Sequence, residues 1–293
     1  MHTGAMQAAY KSARGQRAVQ QWCAEVISRA NFPLTTTAVD TSVGRIQLTS
    51  AGAGTPRIVV VPGTGFNAAA ALPWLQTFSA HWRTVIVDLP GQPGLSDPRR
   101  PSRARLPWYG RVLDEVLAVA QLDDVVLVGN SLGAAVVLAA GSARITARAL
   151  ISPAGFIRLT VDPKVVVASA IWMLRPSTRH TRDMLRWFVA PGQEPPETEV
   201  EWMTLMAASC RTTLAPPPLP ADLLADRADR PCVVAVGEHD RFLPPRRLAP
   251  AVQRTMNVDL RIIAGMGHLT TPAHLDEMVT LVAEVAAPRP GGG

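Results

Sequence analysis

Cysteine is scarce in this 293-residue chain: Cys23, Cys210 and Cys232 are the only three, too widely spaced for a disulfide framework or a thiolate metal site. A reducing compartment, the cytoplasm, is the expectation that fits them. Long apolar runs are missing too. Met1 to Arg17 holds no apolar stretch that could serve as a signal peptide, and no later run reaches bilayer-spanning length, so a soluble protein with no membrane partner is expected. Acidic residues are in modest deficit, 23 against 29 basic ones, for a formal charge of +6. The excess is mainly arginine, scattered through 99–111, 144–148, 175–186 and 241–261 with acids between several of them. No concentrated basic face with interleaved aromatics emerges, which argues against a nucleic-acid partner. Internal repeats are absent.

What remains is ordinary globular material, 47% hydrophobic and 18% charged. Fraying is expected over the first ten or so residues and in a disordered tail at 288–293. Between the ends, short apolar β-rich runs alternate with helix-period segments, the pattern of an α/β protein with a mostly parallel, doubly wound sheet. Strands are predicted at Arg57–Pro62, Arg83–Leu89, Val125–Gly129, Ala147–Ser152, Cys232–Gly237 and Asp259–Ala264, each nearly continuous in apolar residues as a strand covered on both faces must be. Helices are predicted at about 68–80, 105–121, 132–142, 245–256 and 271–287. Leu34–Ala51 reads as a hairpin turning at Ser42–Arg45, which adds antiparallel strands at one sheet edge.

The alternation breaks once, between Ala154 and Arg230, where prolines separate apolar segments at 164–174, 182–190 and 198–211. These read as separate helices of a lid inserted after the sixth strand. The organisation expected is an N-terminal helical extension at 1–33, with helical spacing over about 7–30; a core from 34–153 and 231–287; and a lid from 154–230.

The strongest local signal is Gly129-Asn130-Ser131-Leu132-Gly133, entered from a buried strand and left into a small-residue helix. In a G-x-S-x-G strand-to-helix turn the glycines let the two elements approach and the serine hydroxyl projects from the sheet. Gly237-Glu238-His239-Asp240 and Gly265-Met266-Gly267-His268 each lie just past a predicted strand end. In a doubly wound sheet those ends share one edge, so Ser131, Asp240 and His268 can converge. A serine hydroxyl is a weak nucleophile at neutral pH and needs a base; His268 fits that role, with Asp240 orienting the imidazole. The rivals are His239 and His274 for the base, and Glu238, Asp123 or Asp124 for the acid. Asp88 and Asp97 read as turn and strand-end hydrogen bonders. The loop Val61–Gly65 follows the first buried strand, and an oxyanion hole is assigned to the backbone N–H groups of Thr64 and Leu132.

These motifs, with Asp88-Leu89-Pro90-Gly91-Gln92-Pro93-Gly94-Leu95-Ser96 between them, resemble the α/β-hydrolase superfamily, especially its bacterial single-domain carboxylesterase-like branch. The likeness runs from about residue 35 to 287. Pro62 departs from the pattern, since many relatives carry a histidine there.

The resemblance implies a serine hydrolase cleaving a carboxylic ester or related acyl compound through an acyl-enzyme, with neither metal nor organic cofactor. The same scaffold also serves lactone, thioester and C–C bond cleavage, biosynthetic eliminations or cyclisations, and non-catalytic ligand binding. The expected partner is a small apolar acyl or aryl molecule bordered by Phe66, Asn130, Trp172, Met173, Trp187, Trp202 and Met206. A monomer or homodimer is expected. Arg175, Arg179, Arg182 and Arg186 recur at helical spacing, as a solvated face or as contacts for a carboxylate-bearing substrate.

Overall fold

Branched apolar side chains build the centre of the molecule. The computed structural model describes residues 5–212 and 215–286, so the expected tail at 288–293 lies outside the described residues. In chain order the strands are Met6–Ala8 (β1), Leu34–Thr41 (β2), Gly44–Ala51 (β3), Ile58–Val61 (β4), Thr84–Val87 (β5), Arg99–Pro101 (β6), Val125–Asn130 (β7), Ile145–Ile151 (β8), Cys232–Gly237 (β9) and Leu260–Ile263 (β10). The helices are Ala13–Ser28 (α1), Leu72–Ser79 (α2), Arg105–Val119 (α3), Leu132–Ala139 (α4), Pro163–Leu174 (α5), Thr178–Leu185 (α6), Glu197–Ser209 (α7), Ala221–Asp226 (α8), Pro245–Met256 (α9) and Leu275–Ala286 (α10).

Eight strands form one sheet in the order β10-β9-β8-β7-β4-β5-β3-β2, parallel except where the β2–β3 hairpin joins antiparallel at the β5 edge. β4, β5 and β7 are covered on both faces, which explains their unbroken Val and Ile composition. One face packs Leu113, Val116, Val136 and Val252 of α3, α4 and α9; the other packs Leu75, Phe78, Met278 and Val282 of α2 and α10. Strand order reverses beside β4, so the ends of β4 and β7 flank the crevice where open α/β sheets hold their ligands.

The first residues differ from expectation. Met6–Ala8 pairs antiparallel with Arg99–Pro101 rather than fraying or starting a helix. The reason is Tyr10, buried at 6% exposure, whose hydroxyl donates to the Gly94 carbonyl at 3.0 Å. The helix begins only at Ala13, capped by the Ser12 side chain. It does not stand apart as an extension, because Val19 and Cys23 join Trp202, Met203 and Met206 in a third apolar cluster.

The segment expected at 182–190 is helical from Thr178, where Ser177 caps the first turn, and stops at Leu185. The expected final helix is broken: Pro272–His274 is a 3₁₀ turn and the α-helix starts at Leu275. His274 therefore precedes that helix rather than lying inside it. β6 and α8 are short elements that periodicity did not indicate.

Asp88, just past β5, ties together the loops that follow β4 and β5. Its carboxylate accepts from Ala68 N–H at 2.7 Å and Leu95 N–H at 3.1 Å. Burial pushes this carboxyl up to about 6, and those two N–H bonds only partly offset the rise. A native pKa above the unfolded one means the folded chain holds the proton more tightly, so stability falls as pH rises through the window from about 4 to 6, by about 3 kcal/mol in total. Urea unfolding of wild type and Asp88→Asn across pH 4–7 checks this. The wild type is expected to lose ground to the variant as pH rises through that window, and a constant gap would refute the assignment.

Candidate active site

Ser131 occupies the turn between β7 and α4 with φ 51° and ψ −113°. A non-glycine residue in such a conformation is strained, and it persists only when its surroundings hold it. They do so through the backbone: Ser131 N–H donates to Ile151 O at 3.0 Å, and Ala134 and Ala154 N–H donate back to Ser131 O at 3.1 Å. Gly129 is required by proximity, since a Cβ there would stand 2.5 Å from the Ala134 Cα.

The loops after β9 and β10 deliver the other two groups. His268 Nε2 lies 3.0 Å from Ser131 Oγ and Nδ1 lies 2.8 Å from Asp240 Oδ2. Asp240 Oδ1 accepts from the N–H groups of Phe242 and Leu243, both at 2.9 Å, which leaves Oδ2 for the imidazole. Burial alone would raise the Asp240 carboxyl, but the charge and hydrogen bond of His268, with the Leu243 N–H, outweigh it and hold the carboxyl below its ordinary value. An ionised acceptor at Nδ1 fixes the tautomer that leaves Nε2 as a lone-pair acceptor facing the serine. The His268 ring is walled edge-on by Phe242 and Phe188, with centroids at 5.2 and 5.9 Å. Leu269 N–H donates to Phe188 O at 2.8 Å, tying the histidine loop to the segment after α6.

The rival groups fall elsewhere. His239 is exposed beside Glu238, and His274 is buried with its Nδ1 3.1 Å from the Thr271 hydroxyl. Asp123 pairs with Arg144 just before β7, at the end of that strand away from Ser131.

The Val61–Gly65 loop stands over the start of α4. Leu132 N–H belongs to the first helical turn and so has no intrahelical acceptor. Sequence reasoning missed what holds this loop. Gln92 Oε1 accepts from Gly65 N–H at 3.0 Å while its amide donates to Tyr109 Oη at 3.0 Å. Trp202 Nε1 donates to Gly65 O at 2.9 Å. A buried glutamine in the Asp88–Ser96 motif was the available signal, though one sequence cannot show which loop it reaches.

Cavities border the loop on several sides. Phe66 and Asn130 line a narrow one of about 40 Å³, with Gly63 and Glu199. Thr64, Trp172 and Met206 line another of about 210 Å³. Thr64 and Leu132 line a third of about 290 Å³. The remaining residues expected at the substrate are not among those lining these spaces. Trp202 is fully buried against Trp22, ring centroids 4.6 Å apart, where it anchors Gly65. Met173 packs into the same apolar cluster, and Trp187 lies under Arg241, 5.0 Å from the guanidinium carbon. Of the arginines at 175–186, Arg182 pairs with Glu197, and Arg186 with Asp183 and Glu194. No group of three or more His, Cys, Asp or Glu among the described residues is arranged to hold a metal ion, and no described helix is long and apolar enough to cross a membrane.

A model of the alpha/beta hydrolase family matches residues 58–285. Carboxylesterase CesB (YbfK) from Bacillus subtilis superposes with a TM-score of 0.78 at 18% identity, over 93% of this chain and 98% of that one. Naproxen esterase (carboxylesterase NP) from Bacillus subtilis gives 0.75 at 18% identity over 92% and 98%. The N-acyl homoserine lactonase AidH, complexed with N-butanoyl homoserine, gives 0.65 at 17% identity over 88% and 100%. At these identities the likeness is one of fold. No curated protein sequence matches the chain.

Proposed function

Because the chain belongs to the alpha/beta hydrolase family, we propose that it is a serine hydrolase that cleaves a carboxylic ester or related acyl substrate through an acyl-enzyme. The observation that carries this reading is the unbroken hydrogen-bonded line Asp240–His268–Ser131, ending on a serine held in a strained, projecting turn.

Ser131 Oγ attacks the substrate carbonyl carbon as its proton passes to His268 Nε2, and Asp240 stabilises the imidazolium. The carbonyl oxygen becomes an oxyanion held by the N–H groups of Thr64 and Leu132, each worth about 3 kcal/mol where such donors have been removed. Collapse breaks the ester C–O bond, and His268 returns the proton to the departing alkoxide. A water then enters, gives its proton to His268 and attacks the acyl carbon. Ser131 departs and recovers the proton. The Thr64 loop is set for this by Gln92 and Trp202, which keep Gly65 in place.

A lactone is an ester closed on itself, so the same steps open it with the alcohol retained on the product. The lactonase among the similar folds keeps that substrate class within this reading. Substrate contacts are proposed for Phe66, Asn130, Trp172 and Met206, the expected residues that border the cavities. The inserted helices α5–α7 form the proposed lid, within a protein that acts on small molecules in the cytoplasm.

An alkyl fluorophosphonate tests the reading. The expected result is one phosphonyl adduct per chain on the peptide carrying Ser131, formed together with loss of p-nitrophenyl ester turnover. Labelling elsewhere, or none on folded protein, would remove Ser131 from the mechanism.

A further inference from the structure

Two of the cavities bordering the Val61–Gly65 loop share Thr64 and Gln92 and are lined by arginine but by no carboxylate. The 210 Å³ cavity has Arg100 and Arg211 on its wall, and the 290 Å³ cavity has Arg103 and Arg105; neither has an Asp or Glu among its lining residues. None of these four arginines takes part in an ion pair among the described residues. Arg99, one residue away, is paired with Asp97, so the neighbouring strand position does not lack for acids.

Arg100 is the telling member. Its exposure is 2%, its Nη1 donates to Gly91 O, its Nη2 reaches Arg211 O only at 3.4 Å, and its Nε has no partner among the described residues. Bonds to two carbonyls explain a donor at this position but not a charge. An unpaired guanidinium out of water costs several kcal/mol unless an anion compensates it. Burial, with the nearby Arg105, lowers its pKa although Tyr109 opposes the shift. Arg211 and Arg103, both exposed, and Arg105, half-buried, add charge of the same sign around it, which draws anions toward the cleft. Part of the Arg100 cavity wall is apolar, with Trp172, Met184, Met203 and Met206 suited to methylenes.

Resting on the hydrolase reading above, we propose that the preferred substrate is an ester whose acyl chain ends in a carboxylate, with that carboxylate bound by Arg100. A guanidinium makes charge-assisted hydrogen bonds to carboxylate oxygens, and Thr64, the proposed donor to the ester carbonyl oxygen, lies on the wall of the same cavity. This places substrate charge recognition on the loop around β6 rather than on the arginine stripe of α6.

The test compares p-nitrophenyl monoesters of glutaric and adipic acid with neutral p-nitrophenyl esters of equal chain length, on wild type and Arg100→Gln. For wild type, kcat/KM is expected to favour the anionic esters by about tenfold or more, the scale of one charge-assisted hydrogen bond. Arg100→Gln is expected to lose that preference mainly through KM, while its rate on the neutral esters stays within about threefold. A wild type without the preference, or a variant that loses both activities equally, overturns the proposal. Titration calorimetry on wild type asks the same question without the variant or turnover: glutarate is expected to bind and glutaramide is not, and equal behaviour of the two overturns it. Labelling of Ser131 by the neutral fluorophosphonate reads the hydrolase assignment alone, so the two ideas can fail separately.

Discussion

Ser131→Ala and His268→Ala are each expected to lower kcat by about 10⁵–10⁶-fold, and the double variant is expected to be no worse than either single one. The nucleophile without its base, and the base without its nucleophile, are equally idle, so their effects cannot add. Asp240→Asn is expected to cost about 10⁴-fold, because an amide at Oδ2 can present a donor to Nδ1 and turn the imidazole to the wrong tautomer. The asparagine oxygen at Oδ1 still accepts from Phe242 and Leu243, so the loop should stay folded. Steady-state hydrolysis of a short p-nitrophenyl ester by the four variants is the measurement. If the double variant lost the product of the two single effects, Ser131 and His268 would be acting independently, and the proton transfer between them would have to be given up.

Much of this arrangement was legible because the decisive signals are local. β7, Ser131 and α4 are contiguous, and the glycines at 129 and 133 announce a close crossing without reference to anything distant. The loops after β9 and β10 follow from strand ends, and parallel topology puts such ends on one edge. Burial on both faces made β4, β5, β7 and β9 readable as unbroken apolar runs. Boundaries moved by a few residues, since hydrogen-bond pairing rather than composition decides where a strand stops.

What escaped the sequence depends on contacts between distant segments. Met6–Ala8 is a strand only because Arg99–Pro101 offers an edge and Tyr10 finds the Gly94 carbonyl. Trp202 has the composition of a substrate contact, but its indole N–H meets Gly65 O and its ring meets Trp22, so it supports the Val61–Gly65 loop from behind. The arginines at 175–186 drew attention by their helical spacing, whereas Arg100 sits in a basic stretch that looks merely solvated. Its meaning comes from burial and from the absence of an acid paired with it among the described residues, neither of which periodicity reports.

Gly133→Ala is expected to be the most damaging methyl group that can be added to the molecule near the site. A Cβ at 133 would stand 1.9 Å from Val61 O and 2.6 Å from Pro62 O, both backbone atoms at the root of the Thr64 loop. Relief requires α4 to retreat from β4 by about 1 Å or more, because no flexible side chain lies in the way. Such a shift moves Leu132 N–H away from Thr64 N–H and carries Ser131 with it, and misplacement on that scale can cost about 10²-fold in rate by itself. The expected stability loss exceeds about 4 kcal/mol, a large share of a typical domain's total, so the variant should be insoluble or melt about 10 °C lower. Gly54→Ala is the control. Gly54 has φ +85° and nothing within 4 Å of its would-be Cβ. It should therefore lose only the roughly 1–2 kcal/mol of a left-handed backbone, keep full activity and melt within a few degrees of wild type. A Gly133→Ala protein that matched Gly54→Ala in melting temperature and ester turnover would mean that α4 and β4 are not in the contact described, and with them the two proposed oxyanion donors would lose their common support.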